Sequence, residues 1–217
     1  DMNLAKKLID LTDIRDDGYI RGSLTSDSNG NCLSTSVQPS PYCVGIHGGD
    51  PSPGNPTFSF TFHNKFKKAK IVAIEKLPGK DYSFNFDSRE VVDKLSFNSQ
   101  GISAGDVAST FWISRSKSLK YIGGDANNTV LIGSSSQPLI DNAKTKTIDL
   151  EFGKGDNNLQ FDTFQGPNKK LTKLTAVFGA GDDLIDFNSG YVDPVFFSKK
   201  ISIQTGTGDD KINQFQN

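Results

Sequence analysis

The sequence predicts an all-β protein whose C-terminal half is a parallel β-solenoid with coils of about 27 residues, preceded by an N-terminal β-rich cap or sandwich. Three observations predict it. A glycine-rich phrase occurs four times: GGDANNTVLI from Gly123, FGKGDNNLQF from Phe152, FGAGDDLIDF from Phe178 and TGTGDDKINQ from Thr205. Its second residue (Gly124, Gly153, Gly179, Gly206) recurs at steps of 29, 26 and 27 residues, a period that belongs to stacked coils. The composition leans the same way, with 16 Phe, 21 Gly, 9 Pro and a single Met in 217 residues, because aromatic residues favour strands, while glycine and proline favour the turns between them.

The segments before each phrase alternate apolar with mostly polar residues: Leu119 and Tyr121; Ile148, Leu150 and Phe152; Leu174, Ala176 and Phe178; Ile201 and Ile203. That is the period of a half-buried strand. A second short strand follows each turn, marked by Val130 and Ile132, Leu159 and Phe161, Ile185 and Phe187, and Ile212. A unit of this size cannot bury its apolar face alone. Stacking buries it and pairs each strand with its equivalent in the next coil.

Residues 1 to about 118 read differently, as a β-rich region with a long pinned loop before the solenoid of 119–217. Leu4, Leu8, Ile9 and Leu11 suit one short amphipathic helix, and Asp13 to Leu24 suits a hairpin about Asp16-Asp17-Gly18. A Gly/Pro/Ser/Asn loop runs from Asp27 to Pro56 and contains both cysteines, Cys32 and Cys43. Their short spacing, with no partner Cys or His at zinc distance, suits a disulfide that pins the loop, with two separate thiols as the alternative. Thr57 to Phe62 alternates strictly, Ala69 to Ile74 is an apolar run, Tyr82 to Phe86 alternates again, and Phe111 to Ile113 is aromatic and apolar. The first half therefore caps one end of the stack. Little sequence follows the last repeat before Asn217, so the expectation is an open C-terminal edge that meets the rest of a longer chain or another copy.

The repeated turn carries the chemistry. Glycines two residues apart let the backbone curl and aim carbonyl oxygens inward, while an aspartate two residues after the second glycine adds a carboxylate to the same hollow. Gly179-Ala180-Gly181-Asp182-Asp183-Leu184-Ile185 and Gly206-Thr207-Gly208-Asp209-Asp210-Lys211-Ile212 resemble the RTX, or hemolysin-type, calcium repeat, and residues 119 to 215 resemble it overall. The resemblance implies a β-helix-like or β-roll-like stack that binds Ca2+ through Gly179, Gly181, Asp183, Gly206, Gly208 and Asp210. It places Asp182 and Asp209 at outward variable positions and Ile185 and Ile212 in the core. The chain departs from the family pattern by having one such turn per coil, so only one edge could bind metal. Asn157 and Asn128 stand where the ligand aspartate should be, and Ala126 replaces a motif glycine. Those earlier turns suit asparagine ladders without metal. The alternative for all four is a set of turns that only shape the solenoid.

Other chemistry is sparse. Asp27-Ser28-Asn29-Gly30-Asn31 opens like a calcium loop, but Gln38 stands where the closing Glu is needed, which favours a plain turn. His47 and His63 are the only histidines, and no nucleophile elbow, zinc-protease helix or phosphate loop occurs. Lys65, Lys67, Lys68 and Lys70 make a solvated face or a contact for an anionic polysaccharide. Trp112 reads as core, and Asn127-Asn128-Thr129 is a glycosylation sequon, meaningful in a eukaryotic secretory setting. With 24 basic and 25 acidic residues, a formal charge of -1, there is no basic footprint for nucleic acid. No segment approaches the roughly 18 apolar residues of a membrane span, and with no signal peptide before Asp1 the expectation is that the numbering starts on a mature or excised segment.

The function expected from these residues is an extracellular or cell-surface structural or adhesive module, stabilised by calcium and without enzymatic activity. A secreted carbohydrate-active enzyme on a β-helix is the rival, with Asp149, Glu151 and Lys173 sharing one outward face. A lectin-like glycan-binding module is the third reading.

Overall fold

In the computed structural model the described residues are 57–62, 66–74, 80–88, 92–112, 116–133, 145–161, 172–187 and 200–213, with the backbone of three short strands between 34 and 47. They are strands and turns without a helix, and none forms a helix long and apolar enough to cross a membrane. The expected helix near Leu4, the hairpin at Asp16-Asp17-Gly18, the Asp27–Asn31 segment, Cys32, Cys43, His63 and Lys65 lie outside the described residues.

Among the described residues sixteen strands follow one another: β1 (Ser34–Thr35), β2 (Gln38–Pro39), β3 (Val44–His47), β4 (Thr57–Phe62), β5 (Phe66–Ile74), β6 (Tyr82–Ser88), β7 (Val92–Gly101), β8 (Asp106–Trp112), β9 (Ser118–Ile122), β10 (Asn127–Ile132), β11 (Thr147–Glu151), β12 (Asn158–Phe161), β13 (Lys173–Val177), β14 (Leu184–Asp186), β15 (Ile201–Gln204) and β16 (Lys211–Asn213). From β5 onward the chain alternates between two sheets. Odd strands form one sheet in the order β15-β13-β11-β9-β7-β5, and the even strands from β4 onward form the other with β3 at its edge, β16-β14-β12-β10-β8-β6-β4-β3. The pairings from β4 and β5 onward are parallel, so this is a parallel β-solenoid of two facing sheets.

The parallel stack begins at Thr57, earlier than the sequence reading placed it. Across residue 118 the ladders run without a break, since β7 pairs with β9 and β8 with β10. The strands read at Thr57, Ala69, Tyr82 and Phe111 are rungs of the same solenoid. Upstream of them, β3 lies antiparallel along β4, with Val44 against Phe62 and His47 against Ser59. An antiparallel strand of this kind closes the free edge that β4 would otherwise offer. β1 and β2 form a separate two-stranded ladder.

Because the strands are parallel and in register, like side chains stack on like. Phe60, Phe86 and Phe111 form a stacked column with centroids 4.9 and 4.7 Å apart and ring planes almost parallel. Phe152 stacks on Phe178 at 4.4 Å and Phe161 on Phe187 at 5.2 Å. Such pairs contribute about 0.5–1.5 kcal/mol each beyond the area they bury. Aliphatic columns lie beside them: Leu95, Leu119, Ile148 and Leu174 from the odd sheet, and Val130, Leu159 and Ile185 from the even one, all buried. Both columns end on exposed isoleucines, Ile201 and Ile212. Ile203 is half-buried against the core.

Candidate functional site: the stacked turns

The four recognised turns lie on one edge of the solenoid, where each odd strand hands over to the next even strand. Two residues fix how closely they stack. A Cβ on Gly181 would collide with the carbonyl oxygen of Gly155 one coil back, and a Cβ on Gly179 would collide with that of Gly153. Gly181 also has φ +137°, a conformation that residues with a side chain rarely adopt. Gly206 and Gly208 repeat both constraints in the last coil.

The side chains after the glycines form two columns. The inner one is Asn128, Asn157, Asp183 and Asp210, and its first three members are buried. In this column each backbone N–H donates to the side-chain oxygen of the next coil: Asn128 to Asn157 at 3.2 Å, Asn157 to Asp183 at 2.9 Å, and Asp183 to Asp210 at 3.1 Å. The amides add a second strand of bonds. Asn128 Nδ2 donates to Asn157 Oδ1 and Asn157 Nδ2 to Asp183 Oδ1, both at 2.9 Å. Each Nδ2 also reaches the carbonyl two residues back, on Ala126 or Gly155. The asparagine ladder expected of the first two turns is present, and it continues without a break into the aspartates. At its top the buried Tyr121 hydroxyl donates to Asn128 Oδ1 at 2.9 Å and lies 3.3 Å from Ser99 Oγ. Burial holds that phenol well above its ordinary pKa, so it stays a neutral donor.

The outer column runs from the half-buried Asp81 through the exposed Asp106, Asn127, Asp156, Asp182 and Asp209. Here the side chain of one coil accepts from the backbone N–H of the next: Asp106 to Asp81 at 3.0 Å, Asp156 to Asn127 at 3.0 Å, Asp182 to Asp156 at 2.9 Å and Asp209 to Asp182 at 2.8 Å. Asn127 bonds the Asp106 carboxylate through its side-chain amide instead, at 3.2 Å. The sequon asparagine is thus tied into the ladder on both sides. Asp182 and Asp209 point outward, where the repeat pattern placed them.

Two turns escaped the sequence reading. Tyr82 pairs with Val107 and Val107 with Asn128, so Lys80-Asp81-Tyr82 and Gly105-Asp106-Val107 occupy the same edge as the recognised copies. The signal for them was an aspartate immediately before an alternating strand, YSFNF or VASTF. It went unread because apolar or aromatic residues fill the inner position.

The six residues singled out for calcium are brought together in the last two coils. Among the described residues no group of three or more acidic, histidine or cysteine side chains is placed to hold a metal, so a cation here would need backbone carbonyls as well as carboxylates. One atom fits that need. Asp183 is 1 % exposed, its Oδ1 takes both bonds from Asn157, and its Oδ2 is buried without a partner. Burial raises its pKa, the Asn157 bonds oppose that, and the nearby Asp210 and Asp156 raise it further. A buried carboxylate oxygen without a donor favours a proton or a cation beside it.

Elsewhere, Lys173 Nζ bonds Asp149 Oδ1 at 2.9 Å on the outward face of the odd sheet, an ion pair within the trio considered for catalysis. His47 is placed in β3, and Trp112 stands in register with Asp87, one residue past the phenylalanine column. No protein-family model, no curated protein and no solved structure matches the chain.

Proposed function

We propose that the chain is an extracellular structural and adhesive module whose RTX-like turns are stabilised by calcium, acting in surface attachment or assembly. The observation that carries the reading is the change of chemistry along one continuous ladder. Where Asn128 and Asn157 satisfy every rung with amide donors, Asp183 and Asp210 bring carboxylates, and Asp183 keeps one buried oxygen without a donor. An ion bound between the last two turns, through the Asp183 and Asp210 carboxylates and the glycine carbonyls of Gly179, Gly181, Gly206 and Gly208, would supply the missing positive charge. Calcium at the millimolar level found outside cells would then favour the stacked form over the loose one, because it binds only where coils are apposed.

Attachment has its own support. Lys68 pairs beside Lys94, and Lys70 and Lys120 flank Ser96, on the outward face of the odd sheet. No salt bridge engages these four among the described residues, unlike Lys117, Lys154 and Lys173. Adjacent like charges on a flat face suit an acidic cell-surface polysaccharide.

The test is thermal unfolding in excess chelator and in millimolar calcium. Stabilisation by about 2–3 kcal/mol is expected at a hundredfold excess over the dissociation constant. Alanine at Asp183 and Asp210 should remove the difference. Coincident melting curves for the wild type would refute the calcium reading.

A further inference from the structure

We propose that the outward face of β5, β7 and β9 is a binding site for a linear sulfated polysaccharide, formed by Lys68, Lys70, Lys94 and Lys120 around Ser96 and Ser118. This rests on the attachment part of the function proposed above and names what is attached. The register fixes the layout. Lys68 lies directly beside Lys94 and Lys94 beside Ser118, while in the next column Ser96 separates Lys70 from Lys120. Neighbouring strands lie about 4.8 Å apart, so the Lys70 and Lys120 backbones stand about 10 Å apart across Ser96. Lys68, Lys94 and Lys120 are exposed, and Lys70, Ser96 and Ser118 are half-buried. Four ammoniums on long stems thus rim a floor of two short hydroxyl side chains.

The charge of this patch is left uncompensated, where other lysines of the stack are answered by an aspartate of the adjacent coil. Lys117 meets Asp93 at 2.7 Å, Lys154 meets Asp125 at 3.6 Å and Lys173 meets Asp149 at 2.9 Å. Two of those acids border the patch and are already engaged: Asp93 precedes Lys94 in the chain, and Asp149 stands in register with Lys120. Among the described residues no ion pair engages Lys68, Lys70, Lys94 or Lys120. Like charges directly opposite one another on neighbouring strands destabilise a sheet, and Lys68 with Lys94 is such a pair. The free protein therefore carries a repulsion that a bound polyanion removes.

The residue types select the occupant. Lysine is a point charge with rotatable donors, whereas selective recognition of planar carboxylates favours the arginine fork, and no arginine stands on this face among the described residues. Such a patch ranks ligands by charge density. A sulfate ester stays ionised and offers three oxygens to several ammoniums at once, so a sulfated chain outranks a uronate chain of equal length. Nucleic acid fits less well. A flat sheet does not enter a duplex groove, and among its described residues the face has no aromatic ring on which a base could stack. Past β9 the acids Asp149 and Glu151 appear on β11, and they set one end of the site.

The experiment titrates the full chain into a fluorescently labelled heparin hexasaccharide and follows anisotropy. Saturable binding is expected, weakening about 50- to 150-fold between about 50 and 200 mM salt, as the release of about four counterions requires. Lys94→Gln should weaken it about fivefold and reduce the salt slope by about one. Because that substitution also removes the repulsion, it should raise the melting temperature at low salt by about 1–3 °C. Glutamine at all four lysines should abolish binding, and Lys154→Gln, at the turn edge, should leave it unchanged. An oligogalacturonate of the same length should bind more weakly, and a neutral dextran oligosaccharide should not bind. No saturable binding to heparin, binding that survives the fourfold substitution, tighter binding to the uronate or to duplex DNA of equal charge, or a lower melting temperature for Lys94→Gln would each overturn the proposal. Melting curves that ignore calcium would remove the calcium reading and leave this site standing, whereas loss of glycan binding would leave calcium stabilisation standing, so the two failures are distinguishable.

Discussion

Asn157 donates to a single oxygen of Asp183 through both its backbone N–H and its side-chain amide, at 2.9 Å each, while the other Asp183 oxygen is buried and takes no bond. The amides at the equivalent position, Asn128 and Asn157, spend their Nδ2 on the carbonyl two residues back. Asp183→Asn replaces the unpartnered oxygen by such a donor. In chelator this substitution should stabilise the protein by about 1–2 kcal/mol, measured by urea unfolding. A destabilised variant would show that the carboxylate is not the misfit in the ladder.

Acidity should act in the same direction. Burial, reinforced by Asp210 and Asp156, holds the Asp183 pKa above its unfolded value, so the native state keeps this proton more tightly than the unfolded chain. Its contribution is fully present below the ordinary carboxylate pKa and is lost as pH rises through the folded pKa. In calcium-free buffer, the wild type should lose stability relative to Asp183→Asn as pH rises above the ordinary carboxylate range. Parallel pH profiles for the two proteins would contradict this.

The glycines should be intolerant where coils touch and tolerant where the sequence already departs from the motif. Gly181→Ala meets both the Gly155 carbonyl and an unfavourable φ, and should cost about 3 kcal/mol. Ala126→Gly, at the matching position two coils earlier, should cost only about 0.5–1 kcal/mol through backbone entropy. Similar losses at the two sites, read from denaturant midpoints, would mean that stacking distance does not dictate these residues.

Cys32 and Cys43 are expected to be joined. Intact mass before and after reduction should differ by the two hydrogens of one disulfide. Two free thiols in the unreduced protein would remove the support that an oxidising compartment gives to the extracellular reading.

Much of the solenoid was legible because its period is written in glycines that cannot be replaced without collision. From Gly124 to Gly206 the inward residues Leu119, Ile148, Leu174 and their partners were readable one by one. The earlier coils were not read as coils, for two physical reasons. Their spacing shortens, with Ser109 pairing Val130 only 21 residues on, and their turns hold Tyr82 and Val107 where the later ones hold Asx. Packing carries those coils, through the Phe60, Phe86 and Phe111 column, and a column of phenylalanines reads equally well as a sandwich core. At the turn edge, the positions of Asp182 and Asp183 could be read from the spacing of the glycines. Which direction each rung donates could not, since that depends on the stagger between coils.

Calorimetric titration of calcium into the wild type and into Asp183→Asn tests the central claim most directly. The account predicts a saturable heat for the wild type and none, or one at least tenfold weaker, for the variant, even though the variant is the more stable protein without calcium. Equal calcium binding by both proteins, or no binding by the wild type, would contradict it and leave the aspartates as shape alone.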